Sequence, residues 1–334
     1  MSGMKVGVVG VGRLGSAHAR ILGEIPDCEF IGVADSDSNR ALEVANRLSA
    51  VALDAESLAS RCDALVVAVT TSAHHPVTRM ALESGCHVLV EKPLTPTLAE
   101  ADDLVDTADR LGLFLAVGHV ERFNAAIREV RPLLRDPRYI SSQRLSIFQP
   151  RGTDVPVMLD LMIHDIDLVL GLVDSPVESV DAVGIPVLTD SVDMASARIR
   201  FVNGACADIS ASRVSAERTR ELRLFQPSGY FSLDLARGEG EYLRRREGVE
   251  LAGISRSRDV GDLSLADIVE RVPIKGDASE PLRLELEAFL AAASGKGDDS
   301  VSASEGRAAL EIALRIENEI EASANVPAQD PRGT

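Results

Sequence analysis

Three sets of residues in this chain have the types and spacings that chemistry needs. Gly10, Gly12 and Gly15 stand in the order G-x-G-x-x-G. The first glycine permits a tight turn, the second lets a pyrophosphate approach the backbone, and the third lets helix and strand pack closely. Arg13 and Leu14 open the helix behind that turn, whose N-terminus points at a phosphate. Thr70 and Glu91, near the ends of two later apolar runs, join them in a cofactor-binding set. Asp35 ends the second apolar run, where a carboxylate accepts hydrogen bonds from ribose hydroxyls and repels a 2′-phosphate, so the expected cofactor is NAD rather than NADP. The alternative is a loop whose glycines serve turning alone.

The second set is Glu91-Lys92-Pro93. A lysine at the carboxyl end of a parallel strand, beside a bound dinucleotide, is placed to hydrogen-bond a substrate hydroxyl and also borders the cofactor, while the proline restricts the backbone. An ion pair with Glu91 is the alternative. In the third set, Asp160 and His164 are four residues apart on one helix face. A carboxylate on one imidazole nitrogen fixes the tautomer and raises basicity, leaving the other nitrogen to accept a proton from an alcohol. A buried pair that satisfies itself is the bland alternative. No third ligand has supporting spacing, so no metal is expected. Lys92, Asp160 and His164 are therefore the candidate catalytic residues. Arg122, Arg151 and Arg213 are the candidates for the substrate, since a guanidinium suits phosphate oxygens; surface ion pairs are the competing use.

The elements that must position these groups fall into two patterns. Up to about residue 120 the chain alternates unbroken apolar runs (Val6 to Val9, Glu29 to Ala34, Ala64 to Val69, His87 to Val90, Leu113 to Val117) with helical spacings, as a doubly wound parallel sheet does. The helix after Ala64 to Val69 is expected from Pro76 to Ser84, with His74 and His75 ahead of it. Glu121 opens a helix to about Leu134. Beyond it, runs of alternating character (Tyr139 to Gln149, Val177 to Val187, Met194 to Phe201, Ala205 to Ala211, Thr219 to Phe225, Tyr230 to Leu235) predict an antiparallel sheet, with a hairpin at Asn203-Gly204. The helix carrying Asp160 and His164 is expected over Met158 to Leu172, and two more over Pro281 to Ala293 and Ser302 to Ala322. The segment from Arg237 to Ala278 has no assignable pattern, and the residues after Ser323 read as a disordered tail. The expected domains are 1–120, which binds NAD, and 121–334, which binds substrate and oligomerises.

Composition removes whole classes. The chain has 334 residues and a formal net charge of −17, against nucleic-acid wrapping or an anionic membrane surface. Cys28, Cys62, Cys86 and Cys206 are scattered and fit a reducing compartment. The first strand begins almost at the N-terminus and no apolar run reaches a membrane span, so the expected location is the cytoplasm.

Gly10-x-Gly12-x-x-Gly15, Asp35, Glu91-Lys92-Pro93 and Asp160-x-x-x-His164 together resemble the Gfo/Idh/MocA family of sugar and polyol dehydrogenases. The resemblance runs through nearly the whole chain. It implies an α/β protein with an N-terminal Rossmann domain, a doubly wound parallel sheet, followed by a C-terminal α/β domain with an open, mainly antiparallel sheet. It also implies that Lys92, Asp160 and His164 line the nicotinamide cleft, and that the protein is a homo-oligomer, dimer or tetramer. Gly118 to Asn124, Arg151 to Asp154 and Asp160 to Asp167 resemble the branch of that family that oxidises C3 of UDP-N-acetylglucosamine with NAD in lipid A precursor synthesis. Thr71 and Ala125 stand where relatives often have proline. Two other functions compete: a dehydrogenase of a free sugar or inositol, and a non-catalytic NAD-binding sensor or scaffold.

Overall fold

In the computed structural model, residues 3–149, 155–246, 265–297 and 299–324 are described. The first sheet is built from six short strands: β1 (Met4–Val9), β2 (Cys28–Ala34), β3 (Val51–Ala52), β4 (Ala64–Val67), β5 (His87–Glu91) and β6 (Leu115–Gly118). They lie in the order β3-β2-β1-β4-β5-β6, all parallel, the Rossmann arrangement with its switch point between β1 and β4. β4 is buried at every position, because helices cover both faces of a parallel sheet. Crossover helices include Arg13–Leu22, Ser38–Leu48, Thr71–Glu83 and Leu98–Leu111. Asp37 and Thr97 cap two of them by accepting from backbone amides, and Gly112 closes the last in the left-handed conformation.

Two expectations are corrected in this half and at its boundary. The helix after β4 begins at Thr71, earlier than expected, and runs through Pro76, forgoing the one bond that the missing N–H would have made. His74 and His75 are thus inside it. The helix expected from Glu121 to Leu134 is broken: a 3-10 turn covers Val120–Phe123, and Asn124 then caps a new helix at Ala125–Val130 by accepting from the Ala126 amide.

The second sheet has eight strands: β7 (Tyr139–Leu145), β8 (Val177–Ile185), β9 (Met194–Phe201), β10 (Cys206–Ser212), β11 (Thr219–Gln226), β12 (Gly229–Asp234), β13 (Glu239–Arg245) and β14 (Val269–Lys275). Their order is β14-β13-β12-β11-β7-β10-β9-β8. Every pair is antiparallel except β7 with β10, so the sheet is mainly antiparallel, as expected. Asn203-Gly204 does turn β9 into β10, with Gly204 at a φ of 82°. β13 and β14 fall in the segment that had no legible pattern; their turn chemistry lies partly outside the described residues.

Two compact units result. One comprises Met1–Phe123 with Ser279–Glu311, the other Asn124–Ala278 with Ile312–Thr334. The break after Phe123 is close to the expected boundary at 120, but the stretch Ser279–Glu311 was assigned by sequence to the second domain. Its membership is explained by packing: Leu286, Phe289 and Leu290 of the helix Pro281–Ala293 enter the same core as Val6, Val8 and Leu89. The expectation of a disordered tail after Ser323 falls almost wholly outside the described residues.

Candidate active site

In the first unit the glycine turn has the form that a dinucleotide needs. Gly10 has a φ of 86°, and a Cβ there would meet the Ala68 carbonyl oxygen at 2.6 Å. A Cβ on Gly15 would lie 1.8 Å from the Gly10 oxygen, so only glycine lets this helix pack onto the turn. Gly12 differs: a Cβ there would meet nothing within 4 Å, so its backbone faces open space. Gly12 caps the helix Arg13–Leu22 without any side-chain hydrogen bond to the first amides, leaving those donors to an anion. Arg13 and Leu14 are exposed beside them, Leu14 to 44 %. A pyrophosphate fits this cradle.

Asp35 has a structural role that spacing did not reveal. Its Oδ2 accepts from the Val11 amide at 2.8 Å and its Oδ1 from the Asp37 amide at 2.9 Å, which clamps the glycine turn to the end of β2. Arg40 Nη1 lies 3.4 Å from the same carboxylate. Thr70 is exposed at the N-terminus of the helix Thr71–Glu83.

Lys92 is half-buried immediately after β5, between two buried neighbours. Glu91, expected to face the cofactor, turns inward: its Oε1 lies 2.6 Å from Nε2 of His18, a residue with no exposed surface. On the other side, His74 reaches the Pro93 carbonyl with Nδ1 at 2.8 Å and the Val69 carbonyl with Nε2 at 3.2 Å. Burial, opposed by those carbonyls, holds the His74 pKa below the ordinary histidine value. His75 pairs instead with Asp103. Arg122 Nη1 lies 2.5 Å from Glu305 Oε1.

In the second unit, Asp160 and His164 sit where one turn of π-helix, Met158–Met162, passes into the α-helix Ile163–Leu172. Sequence gave one continuous helix; a π turn is a wide turn of the kind often found at functional sites. Both residues are half-buried, whereas Met158, Met162, Ile163 and Ile166 are buried. The unusual polarity of this apolar segment is partly explained by Asp165. Arg144 Nε on β7 donates to it at 2.6 Å and Ser142 Oγ at 2.7 Å, so it ties the helix to the sheet.

The entry to that helix is braced by Asp193 and Arg213. Asp193 Oδ2 accepts from the successive amides of Val187, Leu188 and Thr189, and its Oδ1 from Arg213 Nε at 2.8 Å. Burial opposes ionisation of Asp193, but those amides and the guanidinium win and hold its carboxyl far below the usual carboxylate range. Arg213 also donates to the Val155 carbonyl at 2.7 Å and to Ser191 Oγ at 2.5 Å. Sequence offered Arg213 to a phosphate; in the structure its guanidinium is committed to a buried carboxylate and to the backbone leading into the helix. Arg151 lies outside the described residues.

Residues 4–119 match the model described as oxidoreductase family, NAD-binding Rossmann fold, and residues 116–231 match the GFO/IDH/MocA C-terminal domain. Over 96 % of this chain and 98 % of the relative, the sequence is 36 % identical to a UDP-N-acetylglucosamine 3-dehydrogenase of Acidithiobacillus ferrooxidans. The chain belongs to the Gfo/Idh/MocA family. It is an oxidoreductase built on that family's NAD-binding Rossmann fold. A solved structure of the Acidithiobacillus enzyme, GnnA, superposes with a TM-score of 0.86 over 96 % of this chain and 99 % of that one, at 34 % identity. The Gfo/Idh/MocA relatives also include a myo-inositol 2-dehydrogenase of Thermotoga maritima, 27 % identical over 63 % of this chain and 69 % of its own. No helix among the described residues is long and apolar enough to cross a membrane.

Proposed function

We propose that this chain is an NAD-dependent dehydrogenase of a nucleotide sugar, oxidising the C3 alcohol of UDP-N-acetylglucosamine to a ketone. The observation that carries the reading is the end-to-end match to a dehydrogenase named for that substrate, against a match of about two thirds to an inositol dehydrogenase. NAD, when bound, supplies the hydride acceptor. The open face at Gly12 and the free amides of the first helical turn hold its pyrophosphate, and Asp35 its ribose. Lys92 hydrogen-bonds the reacting hydroxyl, His164 takes its proton, and Asp160 orients the imidazole.

The diphosphate of the substrate must be held locally, because the chain as a whole is acidic. With Arg213 committed to Asp193 and Arg122 paired with Glu305, Arg151 is the group we assign to it. Arg151→Ala is expected to raise KM for the UDP-sugar by about tenfold or more, the loss of a charge-assisted contact, with little effect on any free sugar turned over. Equal effects on both would remove Arg151 from the site. The product ketone fits amination in lipid A precursor synthesis, and the enzyme works in the cytoplasm as a dimer or tetramer. Support for association is the outer surface of the second sheet, where Tyr139, Val183, Ile185 and Phe225 are exposed.

A further inference from the structure

His18, Glu91 and Glu285 form a buried cluster with one ligand atom from each lying within 4.8 Å of the others. Their exposures are 0, 9 and 1 %, and they come from three elements: the helix Arg13–Leu22, the end of β5 and the helix Pro281–Ala293. Of the two carboxylates, it is Glu91 that the imidazole contacts directly. The contact between His18 Nε2 and Glu91 Oε1 is 2.6 Å, a hydrogen-bond distance. Two ligands on one tetrahedral metal, with bonds of about 2.0–2.1 Å, would stand roughly 3.3 Å apart, so a proton and not a metal fits between them. Room for the carboxylate is left by the neighbouring strand. Gly118 of β6 is the register partner of Glu91, and a Cβ on it would press to 3.1 Å from Glu91 Oε2.

The residue after Glu91 is Lys92, and the carbonyl after that, of Pro93, is held by His74. Lys92 is thus the half-buried link between two buried anchors. We infer that His18 is a positioning residue for Lys92: by holding the Glu91 carboxylate inward, it fixes the direction in which the chain leaves β5 and so the place of the Lys92 ammonium. This rests on the role given to Lys92 above.

The test uses the full chain with His18→Leu, which keeps bulk and removes the donor, and His18→Gln, which keeps a donor near the Nε2 position. Glu91→Leu, which removes the acceptor of the same contact, is the second site, should His18→Leu fail to fold. Two readouts are taken. The first is the rate at which acetic anhydride labels Lys92 relative to Lys5, Lys275 and Lys296, by peptide mass spectrometry. The second is kcat with NAD and UDP-N-acetylglucosamine beside the affinity for NAD. His18→Leu, or Glu91→Leu in its place, is expected to change the relative labelling of Lys92 and to lower kcat by about 10- to 100-fold, the effect of a misplaced catalytic group, with NAD affinity within about threefold of wild type. His18→Gln is expected to recover most of both. Wild-type labelling and turnover in the leucine variants would overturn the inference. So would equal loss in His18→Leu and His18→Gln, or a loss of NAD affinity that tracks kcat, since either marks a merely structural role. A labelling change in a protein that turns over no sugar would keep the positioning and sink the proposed function; turnover without a labelling change would do the reverse.

Discussion

Asp35 is tied into the fold at the position where the proposed function needs a ribose-binding acid. Its carboxylate would repel a 2′-phosphate, but it also accepts the Val11 amide inside the glycine turn, and Arg40 stands beside it. Asp35→Ala should therefore not convert the enzyme cleanly to NADP. Losing a hydrogen bond to a charged group costs about 1.5–3 kcal/mol, so efficiency with NAD is expected to fall by about tenfold or more while efficiency with NADP changes less. Steady-state kinetics with each cofactor would check this. A wild type that prefers NADP, or a variant with full NAD efficiency, would contradict it. The glycine turn, Asp35 and the lysine after β5 were legible because their signals are local: each is a residue type at a fixed offset from a strand end. The partner of Glu91 was not, because His18 is 73 positions away and nothing in either segment specifies the other.

At the scale of elements, the two half-buried candidates Asp160 and His164 depend on contacts that hold their helix in place. The Arg144–Asp165 pair is almost wholly buried, and removing one partner of such a pair typically costs about 3–5 kcal/mol. The second brace, Asp193, titrates in a predictable direction. Its folded pKa is depressed relative to the unfolded chain, so its contribution is complete at neutral pH and is lost as pH falls from the ordinary carboxylate range toward the folded value. Asp193→Asn should thus be clearly less stable than wild type at neutral pH, with the gap narrowing in acid, as read by denaturant melts across a pH series. A gap that stayed constant or widened in acid would refute the role. Helix and strand types here followed from periodicity, and Asn203-Gly204 marked its hairpin. The π turn at Met158–Met162 did not, since a few residues of wider winding leave the apolar pattern nearly unchanged. Nor did the bracing by Arg213, whose contacts to Val155 and Asp193 are 58 and 20 positions away.

For the whole molecule, the order of elements gave the Rossmann half and the mainly antiparallel half, because switching from unbroken to alternating apolar runs is a property of long stretches of chain. Sequence order misassigned Ser279–Glu311, since membership of a core is decided by which apolar faces meet and not by position along the chain. The proposed function requires oxidation of a UDP-sugar by NAD, with His164 taking the proton. The most direct measurement follows NADH absorbance with UDP-N-acetylglucosamine, myo-inositol and free hexoses, for wild type and His164→Ala. The expected result is NADH formation with the UDP-sugar, weaker or none with the others, and a loss of about 10²- to 10⁴-fold in His164→Ala with NAD still bound. Turnover of inositol or a hexose with no response to the UDP-sugar, or near wild-type turnover in His164→Ala, would contradict it.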